Sequence, residues 1–240
     1  MPTASSRPFA FSSDGLRLSG VLHLPAALPA PFIIGCHGLF SDKQSPKQIT
    51  LAEHCSRAGL AYLRFDHRGC GESEGDFAAV TSLAARCRDL RDAAAALAGG
   101  RDTTRLAGLF GSSLGGTVVL ASAGQLAPEK IVTLAAPLRS QPVIQALRQS
   151  NDPTIEKMPA RFFDQDLCFD ITEAVSGLRH ILIFHGADDA IVPADNARIL
   201  HAACHEPKEL ILLANGDHRL SAPRHQEVFM TRTAAWLIGS

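Results

Sequence analysis

Ser113 lies inside GLFGSSLGG, residues 108–116, where one apolar run stops, two serines stand between glycines, and a second apolar run begins. A serine hydroxyl attacks a carbonyl at neutral pH only if a base takes its proton and a carboxylate orients that base. The spacing G-x-S-x-G, read on Gly111, Ser113 and Gly115, suits such a nucleophile on a sharp strand-to-helix turn. The turn strains the serine and exposes its hydroxyl, and the flanking positions must be small because strand and helix crowd there. Gly116 allows still closer packing. The pattern selects Ser113 over Ser112 and aims the Leu114 N–H, at the helix start, where an oxyanion would form. A plain tight turn would look the same, so the reading needs partners.

Two other glycine-rich readings fail. A phosphate loop needs a lysine after the last glycine, and Gly116 is followed by Thr117. In HRGCGESEG, Glu74 stands where a dinucleotide fingerprint wants its third glycine. A catalytic base should sit on a loop just past a strand, at the same sheet edge as the nucleophile. His218 fits, because ELILLA ends, NGD turns, and the histidine follows. His185 ends a strand but directly precedes Gly186 and an acidic loop, His180 begins its strand, and His225 falls in the last helical stretch. The acid comes from HGADDAIVP (185–193), where spacing alone allows Asp188 or Asp189. Asp217 is less suited, since adjacent side chains diverge. His201, Cys204 and His205 share one helix end without a fourth ligand, so no metal site is expected.

These residues need a scaffold that brings loop ends together. Stretches near 8–12 and 16–24 flank Ser13-Asp14-Gly15 as a hairpin. FIIGC, LAYLRF, RLAGLF, KIVTLA, HILIFH and ELILLA then read as strands buried on both faces. Helical patterns near 45–58, 81–99, 114–126, 194–204 and 222–238 alternate with them. The expectation is one α/β domain over 1–240, a mostly parallel sheet of about eight strands with helices on both faces. Residues 137–178 break the rhythm, interrupted by Pro142, Pro153 and Pro159. They are expected to form a small cap over the C-terminal ends of the strands, with Phe162, Phe163, Leu167 and Phe169 lining a substrate pocket.

Composition narrows the class. The 240 residues are 46% hydrophobic and 20% charged, which suits a folded domain with a sizeable core. The 23 basic and 24 acidic residues nearly cancel and form no long run, so neither nucleic acid nor a membrane surface is expected as partner. The first residues lack a basic segment leading into an apolar one, no run reaches membrane-spanning length, and the six cysteines show no CxxC pair. A cytoplasmic location with reduced thiols is the expectation.

Taken in order, CHGLFSDK, RFDHRGCGESEG, GSSLGG, HGADDAIVP and GDHRL resemble the oxyanion loop, D-x-R-G-x-G-x-S turn, nucleophile elbow, acid loop and histidine loop of the α/β-hydrolases. The opening loop and short cap resemble most the cinnamoyl/feruloyl esterase-like and serine-aminopeptidase-like branch. The resemblance implies the α/β-hydrolase fold and places the acid at Asp189, in register with Val192 and Pro193. It implies an oxyanion hole at the N–H groups of Leu39 and Leu114, and structural roles for Asp66, Arg68, Gly71 and Ser73. The implied activity is hydrolysis of a small-molecule carboxylic ester through a Ser113–His218–Asp189 triad, with no cofactor. A peptidase or thioesterase on the same triad, or a non-catalytic binding protein on the same fold, are the alternatives. The sequence leaves the oligomeric state unknown.

Overall fold

A computed structural model describes residues 3–150 and 153–239. Its centre is one eight-stranded sheet: β1 (Ser5–Ser13), β2 (Leu16–Leu24), β3 (Ala30–Cys36), β4 (Ala61–Phe65), β5 (Thr103–Ser112), β6 (Lys130–Leu134), β7 (Ile181–Gly186) and β8 (Lys208–Leu213). The spatial order is β1-β2-β4-β3-β5-β6-β7-β8. β1 and β2 form the antiparallel hairpin, β2 joins β4 antiparallel, and every pairing from β4 to β8 is parallel.

The central strands β3, β4, β6 and β7 are buried almost throughout because both faces are covered, and alternate residues feed different cores. Ile34, Leu63, Leu109, Ile131 and Ile183 pack with Leu90, Ala93, Val118 and Leu200 on one face. The latter come from α3 (Leu83–Ala98), α4 (Leu114–Leu126) and α7 (Asp195–Ala203). Their neighbours Ile33, Tyr62, Phe110, Val132, Leu182 and Phe184 pack with Leu51, Ala52, Phe229 and Leu237 on the other. Those belong to α1 (Pro46–Arg57) and α8 (Pro223–Ile238). A short helix, α2 (Phe77–Val80), precedes α3, its start capped by the Asp76 side chain.

Between β6 and β7 the chain leaves the sheet through a narrow neck. The Ile171 N–H bonds Leu138 O at 2.9 Å, the Ser140 N–H bonds Phe169 O at 3.0 Å, and Arg139 bridges Asp170. Beyond the neck lie α5 (Gln141–Arg148), α6 (Pro153–Glu156) and a π-helical turn over Phe162–Asp166. After it, Ile171 and Val175 return to the core beneath the sheet. Phe162 and Phe163 are buried in a cluster with Ile155, Leu167, Leu39 and Leu114.

Candidate active site

Ser113 sits between β5 and α4 with φ 53° and ψ −126°, a left-handed region that a residue with a Cβ rarely occupies. The turn is held by the Ser113 N–H donating to Leu134 O at 2.8 Å, while its carbonyl accepts the Gly116 N–H at 2.8 Å. The flanking glycines are required by backbone contact. A Cβ on Gly111 would lie 2.3 Å from Gly115 O, and one on Gly115 would lie 2.3 Å from Cys36 O. Strand, elbow and the loop after β3 therefore meet main chain to main chain.

The β7 and β8 ends supply the partners. His218 Nε2 lies 3.0 Å from Ser113 Oγ, and His218 Nδ1 lies 2.7 Å from Asp189 Oδ2. Asp189 Oδ1 accepts the Ile191 and Val192 N–H groups at 2.9 and 2.8 Å. Burial works to raise the Asp189 pKa, but hydrogen bonds from His185 and His218 and the backbone donors hold it well below the usual carboxylate range. The group is a carboxylate at neutral pH, so it accepts the His218 Nδ1–H and leaves Nε2 free to accept the Ser113 hydroxyl proton. Asp188, equivalent on spacing alone, is exposed, and Asp217 turns away to accept the Ser221 N–H at 2.8 Å.

His185, set aside as the base on its strand position, also joins this site. It is buried at the end of β7, with Nε2 2.8 Å from Val192 O and 3.2 Å from Asp189 Oδ2. A carbonyl only accepts, so Nε2 carries hydrogen and steadies both the acid and its loop. The available signal was its place four residues before Asp189.

The loop after β3 brings Gly38 beside the nucleophile, where a Cβ would lie 3.4 Å from that of Ser113. Leu39 follows, and Leu114 opens α4, where a first-turn N–H has no acceptor within its own helix. The far end of the loop is tied down by Lys43. Its N–H donates to Asp66 Oδ1 at 2.6 Å, and its ammonium pairs with Asp66 Oδ2 and, at 2.7 Å, with Glu72. Ser73 Oγ donates to Asp66 O at 2.7 Å, and Arg68 binds Asp89, Asp14 and Ser13. A Cβ on Gly71 would lie 2.3 Å from Asp66 Oδ2. Asp66, Arg68, Gly71 and Ser73 thus hold turns together, and none of them hydrogen-bonds to Ser113.

An aromatic run leads from the loop into the residues past the neck: Phe40 to Phe77 at 5.4 Å, Phe77 to Phe162 at 5.8 Å, Phe162 to Phe163 at 5.2 Å. Behind Phe163 a cavity of about 330 Å³ is lined also by Arg148, Ile155, Met158 and Ala160. A second cavity of about 720 Å³, beside Lys130, His180 and Trp236, holds none of the Ser113, His218 and Asp189 group. No group of His, Cys, Asp or Glu among the described residues could hold a metal ion, and no described helix is long and apolar enough to cross a membrane.

Residues 28–165 match the family described as serine aminopeptidase, S33. The chain belongs to that family. It is similar to an uncharacterized protein of Mycobacterium tuberculosis, 31% identical over 211 residues that span 86% of this chain and 70% of the relative. It is also similar to the mitochondrial palmitoyl-protein thioesterase ABHD10 of Bos taurus, 25% identical over 80% of this chain and 68% of that one. Among solved structures, an esterase domain from a Rhodothermus marinus protein superposes with a TM-score of 0.71 at 25% identity, covering 98% of each chain. Est1E from Butyrivibrio proteoclasticus, solved with ferulic acid bound, superposes at 0.79 with 17% identity, covering 96% of this chain and 98% of that one. The fold is that of the α/β-hydrolases.

Proposed function

We propose that this protein is a serine hydrolase that cleaves carboxylic esters through an acyl-enzyme on Ser113. The observation that carries the reading is the unbroken line from Asp189 Oδ2 through His218 to Ser113 Oγ, with contacts of 2.7 and 3.0 Å. In this scheme His218 Nε2 takes the hydroxyl proton as Oγ bonds to the carbonyl carbon, and Asp189 stabilises the resulting imidazolium. The Leu39 and Leu114 N–H groups receive the oxyanion. His218 then protonates the departing alcohol, and the same residues act on water to release the acid.

The acyl side is apolar. Leu39 and Leu114, which would carry the oxyanion donors, share one cluster with Phe162 and Phe163. Ile155, Phe162, Phe163 and Leu167, from the same cluster, would then roof the acyl group, and small or medium apolar acyl chains suit it best. Thioesters are the second reading. They pass through the same tetrahedral intermediate, and a relative 25% identical to this chain is a palmitoyl-protein thioesterase.

The test is turnover of a p-nitrophenyl ester series from acetate to decanoate and of an acyl thioester, on the wild-type protein and Ser113→Ala, with fluorophosphonate labelling alongside. Ester turnover and labelling that both vanish in Ser113→Ala support the reading. A folded wild-type protein that neither turns over nor labels overturns it in favour of a binding protein.

A further inference from the structure

Arg86 is the largest fully buried side chain among the described residues, on α3 beneath the loop that follows β3. It forms no ion pair among the described residues. The nearby carboxylate, Asp89, is already engaged by Arg68 and His67. Arg86 instead donates Nη1 to Gly38 O at 3.2 Å, Nη2 to Leu39 O at 3.0 Å, and Nη2 to Cys70 Sγ at 3.3 Å. Its Nε has no partner among the described residues. The guanidinium carbon also lies 6.0 Å from the Phe77 ring centroid, but burying it against carbonyls, a thiol and a ring without a carboxylate is costly, which points to a role beyond packing.

The covalent geometry of the loop supplies that role. A trans peptide is planar, with C=O and N–H pointing in opposite directions. The Gly38 carbonyl faces Arg86, so the N–H of the same peptide unit, that of Leu39, points away from Arg86, and Gly38 itself adjoins Ser113. A second donor reaches the same oxygen. His37 Nε2 accepts the His67 N–H at 3.0 Å, which places the ring hydrogen on Nδ1, 2.7 Å from Gly38 O. Burial holds the His37 pKa far below its ordinary value, so the ring is neutral and keeps that tautomer. Two donors on one carbonyl, one of them cationic, both lock the peptide plane and polarise its N–H.

We infer that Arg86 is a positioning residue for ester hydrolysis, clamping and polarising the Gly38–Leu39 peptide so that the Leu39 N–H stabilises the oxyanion. This rests on the hydrolase reading of Ser113. The effect is on charge that develops during reaction, so Arg86→Met should lower kcat about 50-fold and leave KM within about twofold. Arg86→Lys, which keeps charge but not the fork, should fall about tenfold and serves as the measured variant if the methionine protein does not fold.

The decisive readout is a trifluoromethyl ketone labelled with carbon-13 at its carbonyl. Ser113 Oγ bonds to that carbon, the C=O π pair becomes the oxyanion lone pair, and the serine proton passes to His218. The carbon-13 shift titrates as the oxyanion takes a proton. In the Arg86 variants this hemiketal pKa should rise, by about one unit for a tenfold loss of oxyanion stabilisation. A role confined to stability would lower the melting temperature and leave that pKa and kcat unchanged, which overturns the inference while Ser113→Ala remains inactive. If the wild-type protein neither turns over nor labels with fluorophosphonate, the hydrolase reading itself has failed.

Discussion

A Cβ placed on Gly186 would lie 2.2 Å from the carbonyl oxygen of Gly216, so the loops bearing Asp189 and His218 touch backbone to backbone. Two hydrogen bonds stitch the same contact, Ala187 N–H to Leu213 O at 2.9 Å and Asp188 N–H to Gly216 O at 3.0 Å. The register of the parallel β7–β8 pair, ending Gly186 opposite Leu213, sets this meeting point. Main-chain geometry, more than side-chain reach, brings the acid and the histidine to 2.7 Å.

Gly186→Ala should therefore damage the site more than a single added methyl suggests. The obstacle is backbone, which cannot swing aside, and relief requires the two loops to part. We expect a loss of at least about 2 kcal/mol in stability, at the upper part of the range for overpacking. We expect kcat/KM to fall about 100-fold as the Asp189–His218 contact opens. Urea denaturation and ester kinetics on the same preparation check both; a variant with wild-type stability would show that the loops are not in hard contact.

Ser113 pays for its exposure with backbone strain, at φ 53°. Glycine occupies that region without the Cβ penalty, so Ser113→Gly should abolish turnover yet stabilise the fold by about 1 kcal/mol relative to Ser113→Ala. The two inactive proteins differ in little but the Cβ, and their difference in urea stability gives the strain less the extra unfolded-chain entropy of glycine. Equal midpoints would mean that surrounding contacts relax to absorb it.

The strands and the five longest helices were legible because turn residues punctuate them: the first two strands flank Ser13-Asp14-Gly15, the later ones carry short apolar runs, and helical patterns alternate with those. The excursion past the neck was legible only as a break in rhythm. Its α5, α6 and π-helical turn are short pieces whose order comes from Phe162 and Leu167 packing on Leu39 and Leu114, contacts distant in sequence. Asp188 and Asp189 were indistinguishable by spacing, since only the turn decides which carboxylate points inward. Arg86 was invisible for a different reason. In RCRDLRD a buried arginine has the same letters as a solvated one, and the carbonyls that hold it belong to a loop 47 and 48 positions earlier.

Acid should weaken the fold in two stages. His67 is fully buried, which pulls its pKa down from 6.5 to about 4, and buried His37 is driven well below its ordinary value. Both are neutral when folded and take up a proton on unfolding, so stability falls as pH drops from about 6.5 toward 4. The slope is about 1.4 kcal/mol per pH unit for each fully titrating group. Asp89 and Asp189 stay low because their hydrogen-bonding partners outweigh the burial that would raise them. Their contribution is complete above the ordinary carboxylate value of 3.8 and is lost as pH falls below it. Urea melts at pH 7.5, 5.5 and 4.5 should show the first stage, and His67→Gln should flatten it. A midpoint constant from pH 7.5 to 4.5 would contradict the buried neutral histidines.

Phe163 offers the most direct handle on what the site accepts. It lies between the Leu39–Leu114 cluster and the cavity of about 330 Å³ behind it, and the Arg148 guanidinium, paired at 2.6 Å with Asp164, sits 5.7 Å above its ring. On the proposal that the acyl group runs from Ser113 toward this cluster, an octanoyl chain would contact the ring and an acetyl group would be too short to do so. Phe163→Ala should therefore lower kcat/KM on p-nitrophenyl octanoate about tenfold, equivalent to about 1.4 kcal/mol of lost apolar contact. Acetate turnover should stay within about twofold, because Ser113, His218 and Asp189 do not touch the ring. A uniform loss on both esters would place the defect in the oxyanion loop that Phe163 packs against. A gain on octanoate would mean that the ring blocks the chain and that the cavity beyond it is the true acyl pocket.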